Sequence, residues 1–301
     1  MEEIILQRKL EALGQNGTLI RKDGKTFLQL DCENAKELSM KWGEKLYPFT
    51  KTGKKWILEL PFSTAVNYVQ ICVDGQEVLS PDLPIAHGYC RPYNYIELPD
   101  EEGLFELRDV PHGTLTQEFY KSKISDNWEK LIVYLPPCVP SAGLPVLYLQ
   151  HGFGESEISW STTGKVNLLM DNLIAAGKIK PFAIVMGNGM VKQRIDGELK
   201  LNRALYGQML VEEILPMIEK KYQFGGSKEK RGMAGLSMGS VQTTRIICEH
   251  PELFSEVGLF SGFLRHRIVG DEEHDGIISK ACEQSYLNAM DDVAFNSYFH
   301  T

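Results

Sequence analysis

The 301-residue sequence has no long apolar run, no excess of basic residues and no closely paired cysteines. A membrane-spanning helix needs roughly 18 or more apolar residues in succession, and no stretch approaches that length, so we expect no membrane partner. The formal net charge is −8, and the lysines and arginines are scattered. Because phosphate backbones are bound by clustered basic side chains, we expect no nucleic-acid partner.

The cysteines are widely spaced and form no C-x-x-C pair, which is typical of free thiols in a reducing compartment. They are Cys32, Cys72, Cys90, Cys138, Cys248 and Cys282. Met1–Ile5 lacks the basic flank and apolar core of a signal peptide, which predicts a cytoplasmic protein unless a leader precedes the given sequence. No cluster of His, Asp or Glu has ligand spacing, so we expect neither a metal nor another cofactor.

The first third of the chain has the pattern of short strands. Apolar and polar residues alternate in Phe27–Leu30 and Trp56–Leu60, and Tyr68–Val73 runs into Asp74-Gly75, a strong signal for a tight hairpin turn. No stretch here keeps a helical period. We therefore predict a small all-β sandwich domain over residues 1–104.

A second domain is expected over residues 105–301, after the proline-rich segment Ser80–Pro92 and the acidic turn Pro99–Gly103. Short apolar runs at 131–135, 146–149, 182–186, 232–234 and 257–260 predict strands. Helical spacing at 167–176, 205–222 and 240–249 predicts helices between them, with a kink at Pro216. Apolar strands that alternate with helices indicate an α/β fold, a mostly parallel sheet covered on both faces.

One motif carries chemistry. Gly235-Leu236-Ser237-Met238-Gly239 is G-x-S-x-G, between a predicted strand and a predicted helix. In that context the serine occupies a strained turn that projects its hydroxyl above the sheet, and glycines two residues away on either side avoid backbone clashes. The start of the next helix directs free N–H groups at a developing oxyanion. The motif predicts Ser237 as a nucleophile, against the alternative of a plain glycine-rich turn.

The segment Gln150–Glu155 follows a predicted strand and contains two glycines. A loop of this kind supplies the second half of an oxyanion hole, so the expected donors are the backbone N–H groups of Phe153 and Met238. His151 sits at the strand end, where we expect a structural role for its ring rather than a catalytic one.

Two residues near this edge are candidate substrate contacts. Trp160 lies just past the loop, where packing is the competing interpretation. Asn188 ends a predicted strand at the edge where open α/β folds bind ligands, and a plain turn is the alternative. The charged run Asp271–Asp275 is interpreted as a solvated loop.

Several segments together resemble the putative-esterase family that includes feruloyl, enterochelin and esterase-D-like hydrolases. They are Val110–Gly113, Leu144–Gly152, Asp171–Gly177, Ala234–Gly239, His250-Pro251 with Phe254-Ser255, and Phe260–Gly262. A weaker likeness to an early-set immunoglobulin-like domain rests on Glu33–Lys36 and Val73–Gly75. The resemblance implies an α/β-hydrolase fold and hydrolysis through an acyl-enzyme, with Ser237 as nucleophile and Phe153 and Met238 as oxyanion donors.

The sequence departs from the family after the nucleophile, where an acid and a histidine should follow two further strands. Asp271, Asp275, Asp291 and Asp292 are candidate acids and His266, His274 and His300 candidate bases, but none ends a recognisable strand, so the acid and base stay unassigned. Because a bare strand at 257–260 would be an aggregation hazard, we expect the last strands to be missing through C-terminal truncation. A pseudoenzyme, or a homodimer that covers the edge, is the alternative.

The expected function is that of a serine carboxylic-ester hydrolase acting on an acyl ester of a sugar, a phenolic acid or a related small molecule. Two alternatives remain open. The same nucleophile passes the acyl group to an alcohol in an acyltransferase, and a non-catalytic glycan-binding relic would need no acid or base. The expected partner is therefore a small-molecule or glycan ester.

Overall fold

The computed structural model describes residues 3–5, 19–98 and 102–261. The chain divides into two compact units, residues 1–106 and 107–301. Within the described residues, no helix has both the length and the hydropathy to cross a bilayer.

The first unit is all-β, as predicted. Its strands are β1 (Glu3–Ile5), β2 (Leu19–Lys22), β3 (Lys25–Asp31), β4 (Leu38–Trp42), β5 (Lys45–Pro48), β6 (Thr50–Thr52), β7 (Lys55–Glu59), β8 (Ala65–Val73), β9 (Gln76–Val78), β10 (Ile85–Gly88) and β11 (Arg91–Leu98). One sheet has the order β1-β2-β3-β7-β6, and the other has the order β10-β11-β8-β4-β5 with β9 paired to β8. The turn between β8 and β9 is Asp74-Gly75, both at positive φ, as the sequence predicts.

The core of this unit follows from the alternation in its strands. In β3 the side chains of Leu28 and Leu30 are buried while Phe27 and Gln29 are only partly covered, and in β7 Trp56 is buried in the same way. Successive residues of a strand point to opposite faces, so one apolar face of each sheet supplies the core.

The second unit contains a six-stranded sheet. Its strands are β12 (Thr114–Lys121), β13 (Trp128–Leu135), β14 (Val146–Gln150), β15 (Ala183–Gly187), β18 (Arg231–Leu236) and β19 (Glu256–Phe260), in the order β12-β13-β15-β14-β18-β19. The pairs from β15 through β14 and β18 to β19 are parallel, and β12 and β13 are antiparallel additions. A separate hairpin, β16 (Lys192–Ile195) and β17 (Glu198–Leu201), follows β15.

Helices lie between the strands. They are α1 (Ser159–Thr162), α2 (Val166–Ala175), α3 (Leu205–Met209), α4 (Leu215–Tyr222) and α5 (Met238–Glu249). A π-helical turn, Leu210–Ile214, joins α3 to α4. It ends two residues before Pro216, which has no N–H to donate and whose ring crowds the preceding turn, so the helix widens at this point.

Helices cover both faces of the sheet. Side chains of α3, α4 and α5, among them Tyr206, Ile218 and Ile246, pack on one face with Val185 of β15. On the other face Met170 of α2 packs with Ile184, Tyr134 and Leu149. Because both faces are covered, every residue of β15 is buried, as expected for the centre of a parallel sheet.

Candidate active site

Ser237 occupies a sharp turn between β18 and α5. Its backbone angles are φ 51° and ψ −110°, outside the regions that L-residues favour. Such a conformation costs about 1–3 kcal/mol and persists only where the surroundings enforce it. Ser237 is exposed, whereas Gly235 and Met238 beside it are buried. The turn therefore presents this one side chain to solvent.

The flanking glycines make the turn sterically feasible. A Cβ atom at Gly235 would lie 2.2 Å from the carbonyl oxygen of Gly239. A Cβ atom at Gly239 would lie 2.7 Å from each of the carbonyl oxygens of Gln150 and His151, at the end of β14. Each distance is far below a van der Waals contact, so both positions require glycine.

Backbone hydrogen bonds hold the turn at both ends. The N–H of Ser237 donates to the carbonyl of Phe260 at the end of β19 (2.9 Å), which ties the turn to the neighbouring strand. The carbonyl of Ser237 accepts the N–H groups of Ser240 (2.9 Å) and Val241 (3.2 Å), and also the hydroxyl of Ser240 (2.7 Å). The helix start is thereby fixed relative to Ser237.

Two N–H groups are available for an oxyanion. Those of Met238, the first residue of α5, and of Phe153, in the loop after β14, have no acceptor within the described part of the chain. The N-terminus of α5 adds a positive dipole end at the same edge. We keep both residues as predicted donors.

His151 fixes the loop that carries Phe153. Its ring is buried; Nε2 accepts the N–H of Gly189 (3.0 Å), and Nδ1 lies 2.8 Å from the carbonyl oxygen of Gly152. Because Nε2 accepts, Nδ1 carries the proton and donates to Gly152. Both ring nitrogens are therefore occupied, and the ring connects the loop after β14 to the loop after β15.

This arrangement makes the unfolding free energy depend on pH. Burial lowers the pKa of His151 below 6.5, so below about pH 6.5 the unfolded chain binds a proton that the native ring does not. We expect the stability of the wild type relative to His151→Gln to fall from pH 7 to pH 5, with a slope of at most about 1.4 kcal/mol per pH unit. Urea unfolding of both proteins at several pH values measures this difference, and a difference that stays constant with pH would contradict the assigned tautomer.

Two further side chains hold the Phe153 loop. Glu155 accepts the N–H of Gly152 (2.9 Å), and burial raises the pKa of this carboxyl. The Arg203 guanidinium lies 5.0 Å from the centre of the Phe153 ring, a cation–π distance. Arg203 was not among the residues singled out from the sequence, because nothing in its local pattern places it beside a loop fifty residues earlier.

Trp160 and Asn188, the two candidate substrate contacts, each make a hydrogen bond to a backbone group. Trp160 donates its indole N–H to the carbonyl of Gln150 (3.0 Å), and its ring lies 5.9 Å from that of Phe260. Asn188 accepts the N–H of Met190 in a local turn (2.9 Å). Trp160 lies in α1, which follows the loop after β14, and Asn188 lies in the loop after β15, at the edge that carries Ser237.

The described histidines of the second unit do not supply a base for Ser237. His151 has both nitrogens occupied, and His112 bonds to Asp171 and Arg108. His250 follows α5, a helix of 12 residues and so about 18 Å long, at the end away from Ser237.

The candidate acids and bases named from the sequence lie outside the described residues. They are Asp271, Asp275, Asp291, Asp292, His266, His274 and His300. Within residues 19–98 and 102–261, no group of three His, Cys, Asp or Glu side chains is placed to hold a metal ion.

A strained serine between a strand and a helix, at the carboxyl edge of a mostly parallel sheet covered on both faces, defines an α/β-hydrolase. The model of the family described as "Putative esterase" matches residues 122–295, more than half of the chain. The chain belongs to this family.

Individual known esterases also resemble this chain in sequence or in fold. An endo-1,4-beta-xylanase/feruloyl esterase of Xylanibacter ruminicola is 33% identical over 264 residues, which cover 83% of this chain and 36% of that protein. A solved ferulic acid esterase is 26% identical with a TM-score of 0.52, over 62% of this chain and 76% of its own. The enterobactin esterase of Shigella flexneri is 12% identical and shares the fold, with a TM-score of 0.63 over 92% and 77% of the two chains.

Proposed function

We propose that the chain is a serine carboxylic-ester hydrolase that works through an acyl-enzyme on Ser237. The observation that carries the proposal is the strained, exposed conformation of this residue, at φ 51° and ψ −110°, between two glycines that tolerate no side chain. Strain of this kind is concentrated at functional sites. Membership of an esterase family supports the same reaction class.

In the proposed reaction a base takes the proton of Ser237 Oγ as that oxygen attacks the ester carbonyl carbon. The carbonyl oxygen becomes an oxyanion, which accepts hydrogen bonds from the N–H groups of Phe153 and Met238. Collapse of this intermediate breaks the bond to the leaving alcohol, which takes the proton. Water then attacks the acyl-enzyme by the same route, releasing the acid and restoring the serine hydroxyl.

We propose a hydroxycinnamoyl group, such as feruloyl, as the acyl part and a sugar chain as the alcohol part. The named activities of the Xylanibacter relative, xylanase and feruloyl esterase, support this substrate class. Aromatic rings around the turn also favour a flat aromatic acyl group, since Phe153 and Phe260 are 38% and 48% exposed and Trp160 lies beside Phe260.

The test uses a fluorophosphonate, which labels only an activated serine. Intact-mass spectrometry of the full chain should show a single adduct on the wild type and none on Ser237→Ala. Ser255→Ala is the matched control, because that hydroxyl donates to the carbonyl of Arg231 at the start of β18, away from Ser237, so its removal should leave the adduct in place.

A second measurement completes the test: the hydrolysis of methyl ferulate, monitored through the release of ferulate. We expect Ser237→Ala to lower kcat by about 10⁴-fold or more, because it removes the nucleophile. Absence of the adduct from the folded wild type, or an adduct that persists in Ser237→Ala, would overturn the proposal.

A further inference from the structure

We propose that Phe119 and Trp128 form a binding platform for the sugar chain of the ester. The side chains of these two residues are 63% and 72% exposed, high values for large aromatic groups. The inference rests on the proposed function, because it assigns a place to the alcohol part of the same substrate.

The sheet register places the two side chains on the same face. Phe119 of β12 is opposite Lys130 of β13, and Lys121 is opposite Trp128, so all four side chains point to one face. Phe119 and Trp128 are therefore diagonal neighbours across the two strands, with their backbones about 7–8 Å apart.

The same face is covered further along β13 but open at these residues. Ile132 and Tyr134 point the same way as Trp128, and both are buried in the cluster that contains Met170 of α2. Helix α2 thus leaves one end of the β12–β13 pair uncovered, and the rings of Phe119 and Trp128 lie at the surface there.

The platform lies at the edge that carries Ser237. β13 is antiparallel to β15, with Leu131 opposite Gly187, so the Trp128 end of β13 lies at the carboxyl end of β15. In this sheet β13 and β12 lie three and four strand spacings from β18, which places the platform about 14–19 Å from the Ser237 strand. A polysaccharide with its ester bond at Ser237 spans this distance in a few sugar units.

A hydrogen bond also joins the platform to the loops of the candidate site. The side chain of Asn127, beside Trp128, donates to the carbonyl of Lys192 (3.2 Å), at the start of hairpin β16–β17. That hairpin follows Gly189, whose N–H is bound by His151. The platform is thus linked through hydrogen bonds to the loops after β14 and β15 in the candidate site.

The charges around the platform favour a neutral ligand. Lys121 pairs with Asp126 (3.0 Å), and Lys130 pairs with Glu157 (2.6 Å). Each of these two lysines has a carboxylate beside it, so neither offers an uncompensated positive charge to a polyanion. These polar groups flank the rings as hydrogen-bonding partners for sugar hydroxyls.

The size of the platform favours a sugar chain over a protein. Two aromatic side chains bury at most about 300–500 Å² together, whereas a stable protein interface buries about 800 Å² on each partner. A pyranose ring presents apolar C–H groups on its faces and hydroxyls at its rim, which matches exposed rings bordered by ion pairs.

The test separates binding from catalysis by using Ser237→Ala as the background. Native gels cast with soluble arabinoxylan should retard this protein, and adding Trp128→Ala or Phe119→Ala should weaken the apparent affinity about tenfold, the effect of losing one buried aromatic face. Tyr89→Ala is the matched control, an aromatic of the first unit that is 71% exposed, and should leave retardation unchanged.

In the active enzyme, the ratio of kcat/KM for feruloylated arabinoxylan to that for methyl ferulate should fall about tenfold in Trp128→Ala and stay unchanged in Tyr89→Ala. No retardation of the background protein, equal retardation of the Trp128 variant, or equal loss on both substrates would overturn the platform. The platform would also be overturned if the wild type were a dimer in size-exclusion chromatography and Trp128→Ala were a monomer. Failure of the proposed function is distinct, because it removes methyl ferulate turnover and leaves gel binding untouched.

Discussion

Gly235→Ala should reduce ester hydrolysis by about 100-fold or more while leaving most of the protein folded. The added Cβ would lie 2.2 Å from the carbonyl oxygen and 2.3 Å from the carbonyl carbon of Gly239, so the first turn of α5 must shift. That shift displaces the N–H of Met238 and the hydroxyl of Ser237 together. Loss of a single oxyanion donor alone costs about 10²–10³ in kcat.

Gly232→Ala is the matched control for this prediction. It lies on the same strand, but its Cβ would meet Leu147 at 3.4 Å and Glu256 at 3.5 Å, close to ordinary contact distances. We expect activity within a few-fold of the wild type. Methyl ferulate turnover, the rate of fluorophosphonate labelling and a thermal melt on both variants make the comparison. Full activity in Gly235→Ala would show that the helix start does not position the reacting groups.

The second large effect is on stability, at Asp171 in α2. This buried carboxylate accepts three hydrogen bonds, from the N–H of Gly113 (3.0 Å), the hydroxyl of Tyr134 (2.6 Å) and the ring of His112 (2.9 Å). The Nε2 atom of His112 also lies 3.0 Å from the carbonyl oxygen of Arg108. Burial and the neighbouring carboxylate raise the pKa of Tyr134, which therefore remains a donor.

Asp171→Leu should lower the free energy of unfolding by about 3–5 kcal/mol, because it leaves the buried Tyr134 hydroxyl and the Gly113 N–H without an acceptor. Urea unfolding at pH 7 measures the change. Asp126→Asn, whose side chain is 76% exposed, is the control and should change stability by less than about 0.5 kcal/mol. Equal, small effects of both substitutions would show that the three hydrogen bonds contribute little.

Local patterns were enough to predict the elements with distinctive chemistry. Asp74-Gly75 specifies its turn because both residues take positive φ, and α2 ends close to the predicted helix end at residue 176. The Ser237 motif predicted a turn between a strand and a helix, since its glycines and the apolar run before it act over a few residues. Each of these features is determined by residues that are close together in the sequence.

Elements that depend on distant residues were missed. β12 is an edge strand with mostly exposed or partly exposed residues, so its sequence shows no apolar face. The β16–β17 hairpin has little burial of either strand. The segment that contains His112 and the helix that contains Asp171 both carried the family resemblance, but their contact across 59 residues has no local signal.

The close approach of Gly239 to the carbonyls of Gln150 and His151 has a consequence for enzyme redesign. Two segments about ninety residues apart share one backbone contact surface, so an insertion or a bulkier residue in either one would misalign the other. Altered acyl selectivity is therefore better sought by exchanging the ring at Phe153 or Phe260, where side chains reach solvent, than by lengthening the loop after β14.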